Sequence, residues 1–219
     1  AGELFAQPDI DGGLIGGGVA LLFYTILKKM PLRRTLDVVM SVAPLGHAFG
    51  RTGCFLNGCC FGQITRSIFG VRFPRILEEG NVANSLFNVG EKYIAGSPPF
   101  VHHLRQGLVD KTAQWSLPVH PTQLYAVVYN LAIFGLVSWW FGRRWRAGDI
   151  AWVYAIAYGT ARFINEFIRV TEPVFAGLTI AQVICVPLVA FGVVMFVRGR
   201  RRPSEPFEPL PEEEEKQAE

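Results

Sequence analysis

Apolar positions along the chain gather into five runs, at residues 12–27, 35–49, 122–141, 150–168 and 178–197. The last three each approach the roughly 20 residues that a helix needs to cross a hydrocarbon layer. The first two are shorter. The second contains Asp37, Pro44 and His47, and by itself would suit a core helix. The polar positions between the runs decide the matter. Lys28, Lys29, Arg33 and Arg34 separate the first two runs, Arg143, Arg144 and Arg146 separate the third from the fourth, and Arg198, Arg200, Arg201 and Arg202 follow the fifth. If all three basic clusters face the cytoplasm, every run alternates in direction. Without the second run, clusters would fall on opposite sides. The pattern predicts an all-α polytopic membrane protein with about five transmembrane helices, starting outside and ending inside.

Four segments follow from this reading. Residues 1–49 hold two transmembrane helices, and residues 50–121 form an extracytoplasmic loop and small head. Residues 122–197 hold three more helices. Residues 198–219 turn from basic to Pro-rich to acidic and predict a disordered cytoplasmic tail. Composition agrees. Half of the 219 residues are hydrophobic, mean hydropathy is +0.28, and 18% are charged, against about a quarter in a soluble domain. The net charge of +3 includes no basic stripe interleaved with aromatics, so nucleic acid is not an expected partner. Residues 1–11, AGELFAQPDID, lack the basic and apolar regions of a signal peptide, and more protein is expected before Ala1. In GGLIGGG, Gly12 and Gly16, like Gly13 and Gly17, are four apart. That spacing predicts close helix packing, or else a headgroup passage.

Polar groups at membrane depth point to function. Tyr158, Arg162, Glu166 and Arg169 share one helical face by their spacing. Arg162 and Glu166 can form a structural ion pair. Two arginines against one carboxylate still leave a positive surplus, which suits an anionic headgroup, because a guanidinium fork matches phosphate oxygens. His47 and Arg51 are four apart and share a face if their helix continues to Gly50. Gly50, Gly53, Gly58 and Gly62 predict a backbone-rich loop able to offer N–H groups to an anion. His120, Pro121, Thr122, Gln123 and Tyr125 open the third run, with Pro121 suited to a first helical turn. All three clusters fall on the outer face. Cys54, Cys59 and Cys60 admit three readings: small packing residues, a disulfide of Cys54 with Cys59 or Cys60, or a metal site completed by His47 or His120. Cys185 reads as a small buried hydrophobe. His102 and His103 receive no role.

These motifs resemble those of the prolipoprotein diacylglyceryl transferase family. Its signature, G-R-x-G-N-F-x-N-x-E-x-x-G, is met at residues 50–62 by GRTGCFLNGCCFG, where Gly50, Arg51, Gly53, Phe55, Asn57 and Gly62 match. Its H-P-[ST]-Q-L-Y-E is matched by His120 to Tyr125, its late face by Tyr158, Arg162, Glu166 and Arg169, and its G-G-L-I-G by residues 12–16. The chain departs from the pattern at Asp11, at Cys54 for Asn, at Cys59 for Glu and at Ala126 for Glu. It is a cysteine-rich variant. The family generally has seven spans, so five visible runs fit the loss of two before Ala1.

The resemblance implies a reaction. The thiol of a lipobox cysteine on a prolipoprotein attacks the glyceryl carbon of phosphatidylglycerol, glycerol phosphate leaves, and a thioether forms. Arg51 and Arg162 are then the candidates for stabilising the leaving phosphate, with Glu166 orienting Arg162 and Arg169 supporting the site or a headgroup. His120, ahead of His47, is the candidate base, with orientation of a headgroup the alternative role for His120 and a substrate contact that for His47. Asn57, Tyr158, Gln123, Tyr125 and Gly62 are candidate substrate contacts. No metal or organic cofactor is called for. The expected location is a bacterial inner membrane with the site facing outward. Three other classes compete: a non-catalytic phospholipid- or lipoprotein-binding relative, a thiol-redox protein using the three cysteines, and a small transporter. The redox reading leaves Arg162, Glu166 and Arg169 unexplained, and a transporter needs a polar path to the cytoplasmic side.

Overall fold

A computed structural model describes the protein over residues 10–75, 97–141 and 146–201, with side chains from residue 16. The expectations for Arg143, Arg144, Arg202, the Asp11 side chain, residues 76–96 of the head and the tail past residue 201 lie outside what the structure describes. Six helices are described: α1 Ile10–Leu27, α2 Leu32–Leu56, α3 Pro98–Arg105, α4 Thr122–Phe141, α5 Asp149–Glu166 and α6 Ile180–Arg200. Among the described residues β-structure is confined to isolated bridges. Helices thus stand at all five predicted runs. Two of them, Thr122–Phe141 and Ile180–Arg200, are long and apolar enough to cross a membrane. Their outward faces carry exposed Val128, Leu131 and Trp139 on α4, and Ile184, Phe191 and Val194 on α6, as a lipid-facing surface does.

Helix α5 is the hub. It packs most extensively on α6 and also meets α2 and α4, which pack on each other. Ile133 and Val137 of α4 and Ile150 and Tyr154 of α5 form the central cluster, with Met40 and Ala43 of α2 against it. Glycines set the approach of α5 to α6. A Cβ on Gly159 would stand 2.7 Å from Val189 Cγ2, and one on Gly192 3.0 Å from Ile156 Cγ1. Helix α1 contacts α2 alone among the helices. A Cβ on Gly16, Gly17 or Gly18 would meet nothing within 4 Å. At Gly16 and Gly17, the described part of the predicted stripe, no element among the described residues packs closely.

Helix ends are fixed by local chemistry in one case and by a distant residue in another. At the start of α6, Thr179 and Gln182 form a capping box, with bonds of 3.0 and 3.3 Å. The N-cap of α5, Gly148, has a φ of 101° and no capping side chain. Asp37 of α2 supplies the acceptor instead: its Oδ2 takes the Gly148 N–H at 2.5 Å and its Oδ1 the Ala151 N–H at 2.9 Å. The acidic residue that weakens the second apolar run therefore satisfies the orphan amides of another helix. The same end of the bundle gathers basic residues. Arg33 lies against Gly148, and Arg146 donates to the Gly199 carbonyl at 3.3 Å. The ends of α2, α4, α5 and α6 alternate accordingly.

The described part of the head is a small packed unit. Phe100, Val119 and His103 are fully buried or nearly so, and Phe61 meets the rings of His102 and His103. His103 Nδ1 accepts the Leu117 N–H at 3.2 Å. His103 thus ties α3 to the segment that carries Leu117.

Two predictions follow from these contacts. Asp37→Ala strands two buried N–H groups and should cost about 1–3 kcal/mol, seen as a lowered Tm in detergent, with Asp37→Asn intermediate. Burial, and then His102, lowers the His103 pKa below its ordinary value. The folded head therefore binds fewer protons than the unfolded one. Its stability should be full above the ordinary value of about 6.5 and fall as pH drops through it. Limited proteolysis of the head at pH 7.5 and 5.5 should show this, and His103→Gln should flatten the difference.

Candidate active site

Helix α2 does not stop where the second apolar run ends. It continues through Arg51 and Cys54 to Leu56, so the first half of the signature is helical and His47 and Arg51 do share a face. The chain then turns at Gly58, with a φ of 72°, and threads between two other segments. On one side Gly62 N–H donates to the His120 carbonyl at 2.9 Å, and His120 N–H to the Gln63 carbonyl at 3.0 Å. On the other side Gln63 N–H donates to Ile168 at 2.8 Å and Val170 N–H to Phe61 at 3.3 Å. Side chains tighten the same seam. Thr122 Oγ1 donates to the Cys60 carbonyl and Gln123 Nε2 to the Cys59 carbonyl, both at 2.6 Å. A Cβ on Gly62 would lie 2.8 Å from His120 Cβ, from the His120 carbonyl oxygen and from Thr122 Cγ2. Only glycine fits there.

This seam corrects two expectations. The loop amides of Asn57, Gly58, Cys59, Gly62 and Gln63 all donate to protein carbonyls, so these N–H groups do not form an anion cradle. Arg169 does not sit on the α5 face. The helix ends at Glu166, because the backbone of residues 168–170 pairs with residues 61–63, with a bridge between Gly62 and Arg169. The Arg169 side chain still returns to the same group.

That group is buried and charged. Arg162 Nη1 donates to Glu166 Oε2 at 2.5 Å, and Arg169 Nη1 stands 3.8 Å from the same oxygen. Arg162 and Arg169 are each 6% exposed and Glu166 3%. One carboxylate thus serves two guanidiniums. The buried Arg169 Nε has no hydrogen-bond partner, although a buried donor normally has one. Half-buried Arg51 lies within electrostatic reach of Tyr158, Tyr129, Cys54 and Cys60. Tyr129 in turn feels Arg162, Arg51 and Arg169. The three arginines therefore surround one locus.

Aromatic hydroxyls and imidazoles line it. His47 Nδ1 is 2.9 Å from Tyr154 Oη, and the His47 ring lies 5.0 Å from the Tyr158 ring. Tyr154 stacks on Tyr158 at 5.5 Å, and Tyr129 meets Tyr158 edge-on. His120 Nδ1 is 3.1 Å from Tyr125 Oη. Gln123 acts as a strut to Cys59. Asn57 caps the end of α2 and is exposed. Sequence reasoning missed Tyr154 and Tyr129. Tyr154 had a signal, since it stands four residues before Tyr158 on the same face. Tyr129 stands four after Tyr125.

The four cysteines are free thiols, and the disulfide reading does not describe this structure. Cys54, Cys59 and Cys60 nevertheless converge, their three Sγ atoms lying within 4.8 Å of one another. Cys60 holds a left-handed φ of 60°, which costs roughly 1 kcal/mol for a residue with a Cβ. Its thiol is pushed well down from the usual value, first by the hydrogen-bonding Cys54 and Cys59 thiols, then by Arg169 and Arg51. The Cys59 thiol is pushed up, first by Cys54 and then by Cys60.

The chain is similar to known proteins of one family. A family profile for prolipoprotein diacylglyceryl transferase matches residues 9–198. A protein of Xanthomonas axonopodis pv. citri (strain 306) named phosphatidylglycerol–prolipoprotein diacylglyceryl transferase is 32% identical over 208 residues, covering 91% of this chain and 64% of its own length. Relatives of the same name in Xanthomonas campestris pv. campestris (strain B100) and Xanthomonas oryzae pv. oryzae (strain PXO99A) are 30% and 32% identical. They cover 88% and 91% of this chain and 61% and 64% of their own lengths. The chain spans a little under two thirds of the length of these relatives.

The seam predicts a contrast between two glycines of the signature. Gly62→Ala forces backbone apart and should lower stability by about 1–3 kcal/mol, with faster proteolysis of residues 57–63. A Cβ on Gly53 would meet nothing within 4 Å, so Gly53→Ala should leave Tm unchanged or slightly raised.

Proposed function

The chain belongs to the prolipoprotein diacylglyceryl transferase family, and from that premise we propose that it transfers the diacylglyceryl group of phosphatidylglycerol to the lipobox cysteine thiol of a prolipoprotein. The sulfur forms a bond to the glyceryl carbon, the C–O bond to phosphate breaks, and glycerol phosphate leaves. The observation that carries this reading is the buried Arg162–Glu166–Arg169 group with Arg51 beside it. Three guanidiniums against one carboxylate leave two formal positive charges and a buried unpaired donor, Arg169 Nε. A phosphate diester that becomes a monoester gains negative charge as it leaves. Fixed, desolvated guanidiniums stabilise that charge more in the transition state than in the bound lipid.

The remaining groups have parts to play in this reaction. Glu166 holds Arg162 in place. Arg169 offers Nε to a phosphate or headgroup oxygen. Tyr158, in ring contact with both His47 and Tyr154, is set to hydrogen-bond a lipid oxygen. His120 serves as the base. With its Nδ1–H donated to Tyr125, its Nε2 carries the lone pair needed to take the thiol proton. His47 is held against Tyr154 in the same way and orients the headgroup. Asn57 contacts substrate from the exposed lip of the site.

The same reading sets the protein in a bacterial cytoplasmic membrane. Helices α1, α2, α4, α5 and α6 are the five spans, the site faces outward and the C-terminus lies in the cytoplasm. The basic end formed by Arg33, Arg146, Arg198 and Arg200 supports this orientation, and so does the gathering of Arg51, His120, Arg162, Glu166 and Arg169 toward the other end. The head then stands outside, next to the arriving prolipoprotein.

The test is transfer of acyl-labelled phosphatidylglycerol to a lipobox peptide in membranes containing the protein. Arg51→Ala and Arg162→Ala should each lower the rate about a hundredfold, on the order of 3 kcal/mol, while the protein stays inserted. Near-normal rates in both variants would sink the assignment. No transfer by correctly inserted, lipid-binding protein would instead favour a binding relative.

A further inference from the structure

The transfer as proposed uses none of Cys54, Cys59 and Cys60, yet the fold brings their sulfurs together. Cys54 stands in the last turn of α2. Left-handed backbone at Gly58 and Cys60, with φ of 72° and 60°, folds the chain back on either side of Cys59. Gln123 and Thr122 then hold the Cys59 and Cys60 carbonyls at 2.6 Å. The result is three Sγ atoms within 4.8 Å of one another. Packing of small residues does not require such convergence. Zinc–sulfur bonds of about 2.3 Å in a tetrahedral site place the sulfurs about 3.8 Å apart, so the cluster closes on a zinc ion with movements of an ångström or less. Three thiolates and a divalent ion leave one negative charge, next to the guanidiniums of Arg51 and Arg169, which lie within electrostatic reach of Cys60.

Among the described residues this cluster offers three ligand atoms, one fewer than zinc takes. Zinc sites with three protein ligands keep the fourth position for a reactant, and a thiol bound to zinc is deprotonated outright. The reaction at this site alkylates a thiol. We infer that Cys54, Cys59 and Cys60 form a three-thiolate zinc site whose fourth position takes the peptide thiol that is to be alkylated. The inference rests on the transferase reading and departs from the expectation of a cofactor-free site. On binding, the peptide thiol gives its proton to His120 or to water. The sulfur lone pair then forms the bond to the glyceryl carbon as the C–O bond to phosphate breaks, and that electron pair leaves with glycerol phosphate. The thioether product binds zinc more weakly than a thiolate and departs.

The test uses the whole protein, purified in detergent under reductant and loaded with Co2+ as a spectroscopic stand-in. One cobalt per chain should bind, with intense thiolate-to-metal charge-transfer bands and tetrahedral d–d bands. A lipobox peptide should shift the d–d bands, and its Cys→Ser counterpart should not. Cys60→Ser should lose part of the charge-transfer intensity and bind cobalt at least tenfold more weakly. Chelator-stripped protein should transfer lipid at least tenfold more slowly and recover with zinc. Absence of thiolate–cobalt bands in the folded wild-type protein overturns the site. Bands that ignore the cysteine peptide overturn the role of the fourth position, and undiminished transfer by stripped protein overturns the role in catalysis. A peptide-responsive cobalt spectrum in protein whose zinc form transfers nothing would support the metal site and sink the transferase reading.

Discussion

The site depends on one backbone seam. Residues 61–63 pair with His120 on one side and with residues 168–170 on the other, and Gly62 makes the closeness possible because it has no Cβ to collide with His120 and Thr122. Four other features follow from that contact. α5 ends at Glu166 because the next residues join the seam. Arg169 is drawn back toward Glu166. The loop amides are consumed, which keeps polar backbone satisfied at the mouth of an apolar bundle. Thr122 and Gln123, at the start of α4, fix the carbonyls of Cys59 and Cys60 and so fix where the three sulfurs stand.

A second constraint is electrostatic. Burying a guanidinium is expensive unless it is paired and hydrogen-bonded. Here Glu166 is shared between Arg162 and Arg169, and Arg51 approaches the same locus from α2. The group is held in place by the seam and by the packing of α5 on α6 through Gly159 and Gly192. The opposite end of the bundle solves its own polar problem differently. Asp37 caps α5 from another helix, and beside it Arg33 lies against Gly148 while Arg146 donates to the Gly199 carbonyl.

The positions of the helices were legible in the sequence. Runs of apolar residues mark α1, α2, α4, α5 and α6, and Pro121 stands immediately before α4 instead of inside its first turn. Much of the candidate site was legible too. His47 shares a face with Arg51, and Arg162 with Glu166, by a spacing of four. Spacing failed for Arg169, which lies past the end of its helix. It failed for the glycine-rich loop, read as a donor cradle, and for Asp37, which looked like a flaw in a span.

What the sequence by itself determined is therefore whatever has a period or a local count: helix location, the alternation of basic clusters, and which polar residues share a helical face. Apolar length and charge clustering act within a few residues, so a linear reading captures them. What only the tertiary structure decided is where each backbone amide and each sulfur ends up. Gly62 finds His120, Asp37 finds Gly148, and three cysteines meet beside two arginines, through partners chosen by how the helices dock. A backbone carbonyl has no residue identity to be read in advance. The destination of a buried donor is settled by packing across dozens of residues and not by its neighbours in the chain.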